Sequence, residues 1–296
     1  METFGERLAR AVEAVGVPLG LGLDPHLDRL PASLQVRYAD RTGADFRKAA
    51  AEAVMEFNHA AIQAAKGRAA AVKPQFAFYE QLGAPGWAAL EETCAMARAA
   101  GLLVIGDAKR GDISSTASAY ARAILDPEGP LGCDAVTLNA WMGVDVLAPF
   151  LQYVPQGRGV FVLVRTTNPG SGLLQKRADN AIALARALDA LDEPADERWS
   201  AVGAVVGAQA ATDAAAIRAV MPRAWFLVPG VGAQGGGAED ALVGADAAGM
   251  GALVVSSRSL LFPGTPDTAY DADPGGFIAR QLEGLGSILK SSIRAK

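Results

Sequence analysis

Short apolar runs recur along the chain, each closed by a polar residue and followed by a longer amphipathic stretch. Residues 3–15 place Phe4, Leu8, Val12 and Val15 at helical spacing and predict a short amphipathic helix. The first strand is predicted over 18–23, ends at Asp24 and is stopped by Pro25. A polar stretch over 26–44 is expected to loop away before a helix at 45–66. A second strand, 70–72, ends at Lys73 and is closed by Pro74. A helix over 85–100 follows, with Pro85 near its start and Gly101 just past its end. A third apolar run at 102–105 enters the stretch Asp107-Ala108-Lys109-Arg110-Gly111-Asp112-Ile113.

The alternation then continues: helix 115–125, strand 134–138 ending at Asn139, helix 143–151, and strand 159–164 leading to Thr166, Thr167 and Asn168. A helix at 176–192, strand 202–206, helix 211–221 and strand 225–228 come next. The seventh strand exits into Pro229-Gly230-Val231-Gly232-Ala233-Gln234-Gly235-Gly236. A helix at 238–249, an eighth strand at 252–255 leading to Arg258, and a last helix at 275–291 complete the pattern. That last helix carries an apolar stripe of Phe277, Ile278, Leu282, Leu285, Ile288 and Leu289. Eight short, doubly apolar strands alternating with helices predict an α/β fold, a closed (β/α)8 TIM barrel forming one domain over 1–296. An open doubly wound sheet is the alternative, and eight equal repeats favour closure.

With 296 residues, 51% of them hydrophobic, the chain has material for one large core. Its net charge of −5 argues against nucleic acid as a partner, without excluding a local anion site. Two cysteines and two histidines, with no Cys-x-x-Cys pair, make a zinc site or a disulfide framework an unpromising reading. No apolar run approaches the roughly 18 residues that span a bilayer, and the first residues lack a signal-peptide layout. The expectation is a soluble cytoplasmic protein with no membrane partner.

In such a barrel, chemistry collects at the carboxyl ends of the strands. Asp24, Lys73, Asp107 and Lys109 all stand there, on strands one to three. Asp107 and Lys109 are two residues apart, which on an ideal strand puts both on one face. Each charge alone reads as a structural ion pair, but four at one mouth point to function. The Gly-rich loop after strand seven, containing Gly232 and Gln234, lets backbone N–H groups approach an anion. Arg258, one strand later, offers a planar fork for phosphate oxygens.

These residues together resemble the orotidine 5′-phosphate decarboxylase family. The resemblance rests on Asp107-Ala-Lys109-Arg-Gly-Asp112-Ile113, with Asp24 and Lys73 before it and Pro-Gly-Val-Gly-Ala-Gln-Gly-Gly and Ser-Arg258-Ser after it. It runs in order over nearly the whole chain. The Asn168-Pro169-Gly170-Ser171 loop is similar to that of the longer bacterial, type 2 subgroup. The resemblance implies a reaction without metal or cofactor, orotidine 5′-monophosphate going to uridine 5′-monophosphate and CO₂, in a homodimer with shared active sites. It implies that Lys73, Asp107, Lys109 and Asp112 form an alternating catalytic array, with Lys109 protonating C6. Asp112 would come from the opposite subunit, with Ile113 and Thr116 beside it. Asp24 and Lys73 would hold ribose hydroxyls, Thr167 the pyrimidine, and Gln234 and Arg258 the phosphate. Asn168 stands where some relatives have His, and its role is left open. The rival readings are a magnesium-dependent sugar-phosphate decarboxylase or synthase on the same barrel, and a non-catalytic nucleotide-binding barrel. The first would need a carboxylate cluster, and Lys73 at the end of strand two would repel the cation.

Overall fold

Eight parallel strands close on themselves in sequence order, β1 against β2 through to β8 against β1. They are β1 (Leu19–Leu23), β2 (Ala71–Pro74), β3 (Leu103–Arg110), β4 (Ala135–Leu138), β5 (Gly159–Arg165), β6 (Val202–Val206), β7 (Phe226–Pro229) and β8 (Ala252–Ser256). The computed structural model describes residues 2–191, 198–231 and 237–296. Strands β1, β2, β4, β6 and β8 are buried at every position, which explains why β1 and β6 are apolar throughout and why β2, β4 and β8 carry only one polar residue each, Lys73, Thr137 and Ser256.

Two apolar layers follow from closure. Inside the barrel, Ile105, Phe161, Val205, Trp225, Leu227, Leu253 and Val255 pack together. The first helix, Phe4–Val15, covers the amino-terminal end of this layer. Phe4 meets Phe161 edge to face at 5.8 Å, and the Trp225 indole donates to the Gly5 carbonyl at 3.0 Å. Thr3 caps that helix by accepting the Glu6 N–H, and Gly16 ends it in the left-handed region. Outside the strands, a larger layer joins them to helices such as Gly43–Ala65, Ala84–Ala99 and Pro274–Arg294.

Several expected elements differ in extent. The region 26–44 holds a 3₁₀ turn, Leu27–Arg29, and a short helix, Ala32–Gln35. The expected helix over 143–151 divides into a 3₁₀ turn, Val144–Leu147, and a single α turn, Ala148–Leu151. The helix expected at 176–192 is regular only over Asn180–Asp189, because Ala178 and Asp179 adopt left-handed φ of 49° and 57°. Its expected end at Asp192 lies outside the described residues. The helix expected over 238–249 stops at Ala241. Beyond it the Val243 and Ala245 N–H groups bond carbonyls three residues back, and the Asp246 carboxylate then accepts the Ala248 and Met250 N–H groups. On the last helix Ile288 is exposed, while Phe277, Ile278, Leu282 and Leu289 are buried. β3 runs on to Arg110, five residues past the apolar run that announces it.

Candidate active site

β2 and β3 set the floor of the site. Lys73 lies in register with Gly22 of β1, one strand from Asp24. Past Pro74, Gln75 pairs with Asp107 in an isolated bridge, bringing the two strand ends together. The Asp107 carboxylate then receives four donors. Oδ2 accepts from the Lys73 ammonium and from Gln75 Nε2 at 2.9 Å. Oδ1 accepts from the Lys109 ammonium and from the Thr137 hydroxyl at 2.9 Å. Lys73 and Asp107 are both buried, and Lys109 is half-exposed at the mouth.

Burial alone would raise the Asp107 pKa, but Lys73 and Lys109 outweigh it and hold the carboxyl well below its ordinary value. Burial alone would likewise lower that of Lys73. Asp107 and then Asp24 reverse this, and the ammonium titrates above its ordinary value. The pair therefore stays ionised across neutral pH. A buried ion pair of this kind is weak evidence for stability, and its retention suits chemistry better than scaffolding.

The rest of the mouth is built around this chain of charges. A cavity of about 240 Å³ is lined by Asp24, Lys73, Gln75, Asp107, Lys109, Thr137, Thr166, Thr167 and Arg258, with Leu163, Val205, Leu227 and Val255 at its base. Asp24 Oδ1 is buried and has no hydrogen-bond partner among the described residues. An unpaired buried acceptor is costly, so it calls for a donor from the cavity, water or a bound molecule. Arg258 makes no side-chain hydrogen bond or ion pair that ties it to another described residue, and it is exposed at the rim. Gly22 leaves room for Ser257 beside it, because a Cβ there would lie 1.9 Å from Ser257 Oγ and displace that hydroxyl. The loop after β5 is pinned by Arg165, which bonds Asp213, the Thr166 carbonyl and Ser171 Oγ. Gln175 accepts the Thr166 N–H at 2.9 Å, and Thr167 is thereby set at the cavity wall.

Residues 27–272 match the model of the Orotidine 5′-phosphate decarboxylase / HUMPS family. The chain belongs to this family. It is 41% identical over 273 residues to the orotidine 5′-phosphate decarboxylase of Rhodopirellula baltica, covering 88% of this chain and 89% of that one. It is 42% identical over 276 residues to that of Haloarcula marismortui, covering 92% and 91%. Among solved structures, the OMP decarboxylase of Leishmania donovani superposes with a TM-score of 0.72 at 32% identity, over 97% of this chain and 99% of that one. A candidate orotidine 5′-phosphate decarboxylase of Streptomyces avermitilis gives 0.80 at 33% identity, over 99% and 96%.

Within this decarboxylase-family barrel, the residues singled out from the sequence fall into three groups. Asp24, Lys73, Asp107, Lys109, Thr167 and Arg258 line one cavity. Asp112, Ile113 and Thr116 do not line it. The Asp112 carboxylate accepts the Ile113 N–H at 2.8 Å, and the Ile113 side chain is 55% exposed. Gly232 and Gln234 lie outside the described residues. Two further cavity residues carry no obvious mark in the sequence. Gln75 lies just past Pro74, where β2 ends, and Thr137 reads as an ordinary β-former inside an apolar run. Asp107 and Lys109 also reach the same cavity by another route than ideal alternation. Lys109 has a left-handed φ of 48°, and β3 shifts register there against β4.

Proposed function

We propose that this chain converts orotidine 5′-monophosphate to uridine 5′-monophosphate and CO₂ in pyrimidine synthesis. The observation that carries the reading is the continuous Lys73–Asp107–Lys109 chain of alternating charge inside the cavity. In the reaction the bond from C6 to the carboxyl carbon breaks. CO₂ leaves, and the electron pair stays on C6. The Lys109 ammonium stabilises that charge and then gives it a proton. One charge pair at about 4 Å contributes roughly 4 kcal/mol at an effective dielectric of about 20, or about three decades in rate. Lys109 is half-exposed, so solvent can restore its proton. The Asp107 carboxylate lies beside the place of the substrate carboxylate, and Asp24 Oδ1 takes a ribose hydroxyl as its missing donor. Arg258 takes the phosphate, with Gln234 and the backbone of Gly232 on the neighbouring loop. Thr167 faces the pyrimidine. Phosphate binding remote from C6 holds the pyrimidine against the charges already in place.

The reaction needs no metal or cofactor on this reading. Asp107 already accepts four protein donors, and a divalent cation would have to displace Lys73. Among the described residues no group of three or more His, Cys, Asp and Glu could hold a metal ion. A second copy of the chain completes the site, supplying Asp112 with Ile113 and Thr116. The loops after β3, β4 and β5 support this, because they expose Ile113, Trp141, Met142 and Leu173 to solvent. Asp112 with Lys73, Asp107 and Lys109 would then make the alternating array. The buried free thiols Cys94 and Cys133 fit an enzyme that works in the reducing cytoplasm. The test is an absorbance assay with orotidine 5′-monophosphate, with and without EDTA. Turnover that EDTA leaves unchanged is expected. No turnover, or turnover that EDTA abolishes, would overturn the reading.

A further inference from the structure

β3 and β4 pair at Gly106 with Val136 and again at Arg110 with Leu138. Four steps along β3 thus span two along β4. Asp107, Ala108 and Lys109 face Thr137 alone, as in a bulge that re-aims side chains at a site. Lys109 takes the left-handed φ of 48°, a conformation that a residue with a Cβ holds only when its surroundings impose it. Thr137 supplies the bonds that impose it. Its hydroxyl oxygen accepts the Lys109 backbone N–H at 3.0 Å, and its proton goes to Asp107 Oδ1 at 2.9 Å. Thr137 itself is only 1% exposed, so no water competes freely for either bond.

We propose that Thr137 is a positioning residue for the decarboxylation, tying the strained backbone of Lys109 to the Asp107 carboxylate. One hydroxyl fixes both ends of the segment that carries the ammonium. The ammonium therefore stands in place before substrate enters, and no binding energy is spent on moving it. The inference rests on the reading of Lys109 as the proton donor. Thr137→Val keeps shape and volume but removes both bonds. The Lys109 N–H loses its acceptor, and the bulge relaxes. Asp107 keeps Lys73, Gln75 and Lys109 as donors, so the floor stays assembled. The groups read as holding ribose and phosphate stand elsewhere on the mouth, Asp24 just after β1 and Arg258 at the start of the short helix Arg258–Leu261 after β8.

The experiment compares wild type, Thr137→Val, Thr137→Ala and Thr137→Ser in the orotidine 5′-monophosphate assay, with UMP binding measured by calorimetry. The expected result is a fall in kcat of about 10²-fold in both hydroxyl-free variants. KM and UMP affinity should stay within about threefold of wild type, and Thr137→Ser should recover most of kcat. Wild-type kcat in Thr137→Val would overturn the inference. So would loss of UMP binding in both hydroxyl-free variants, since the hydroxyl would then serve the scaffold. A Thr137→Ser variant as slow as Thr137→Val would do the same. Failure of the wild type itself to decarboxylate the nucleotide would count against the proposed function instead.

Discussion

Replacing Asp107 by Asn tests the charge chain as a stability element. The substitution keeps the shape and leaves Gln75 and Thr137 able to bond, but it removes the charge between two ammonium groups. Lys109 is half-exposed and is resolvated by water. Lys73 has a side chain only 9% exposed and cannot be. Removing one partner of a buried ion pair costs about 3–5 kcal/mol. Asp24 still acts on Lys73, which places the expected loss near the lower end, about 3 kcal/mol. The pH dependence sharpens the test. In the wild type the Lys73 pKa is raised, so its contribution is complete below the unfolded lysine value of about 10.4 and is lost as pH rises through the folded one. In Asp107→Asn burial dominates, the Lys73 pKa falls, and the unfolded chain binds more protons below about pH 10. The variant therefore recovers stability as pH rises towards 10. Urea unfolding of both proteins at several pH values measures this. The expected difference is largest near neutral pH and shrinks towards pH 10. A difference under about 1 kcal/mol, or one that does not change with pH, would refute the reasoning.

Arg258→Ala should raise KM by about 10- to 100-fold, the worth of a charged hydrogen bond to phosphate; steady-state kinetics showing an unchanged KM would place the phosphate elsewhere. Mixing Asp112→Ala chains with Lys109→Ala chains should restore about one working site in each mixed dimer, and no recovered activity would argue against a shared site. Gly22→Ala drives a Cβ to 1.9 Å from Ser257 Oγ and should cost about 1–3 kcal/mol in thermal unfolding while raising KM, because Arg258 follows Ser257; wild-type behaviour in both would show that the contact relaxes freely. For wild-type stability in acid, Asp107 has a depressed pKa, so its contribution is present above about pH 4 and is lost as pH falls further; a urea midpoint unchanged from pH 6 to pH 3 would contradict this.

Barrel closure was legible because strands buried on both faces must be almost wholly apolar, as Val202–Val206 and the run 252–255 of β8 are. The strand ends were legible because a charge that follows such a run, as Lys73 does, must lie at the mouth or be buried at a cost. Three things were hidden for physical reasons. The β3 bulge breaks the period of two, so Asp107 and Lys109 converge through a left-handed residue that no pattern announces. Gln75 and Thr137 are uncharged, and only the Asp107 carboxylate that they share gives them a purpose. The helix Ala238–Ala241 gives way to tighter turns, and Asp246 then captures the Ala248 and Met250 N–H groups, a competition that composition does not show. Asp112, Ile113 and Thr116 could be picked from the motif, but within one chain they do not line the cavity that holds Lys73, Asp107 and Lys109.

The most direct test sets Lys109→Ala beside the wild type, comparing single-turnover decarboxylation of orotidine 5′-monophosphate with UMP affinity. The account predicts that turnover vanishes in the variant while UMP still binds, since phosphate and ribose are held by other residues. Near-normal decarboxylation by Lys109→Ala would contradict it.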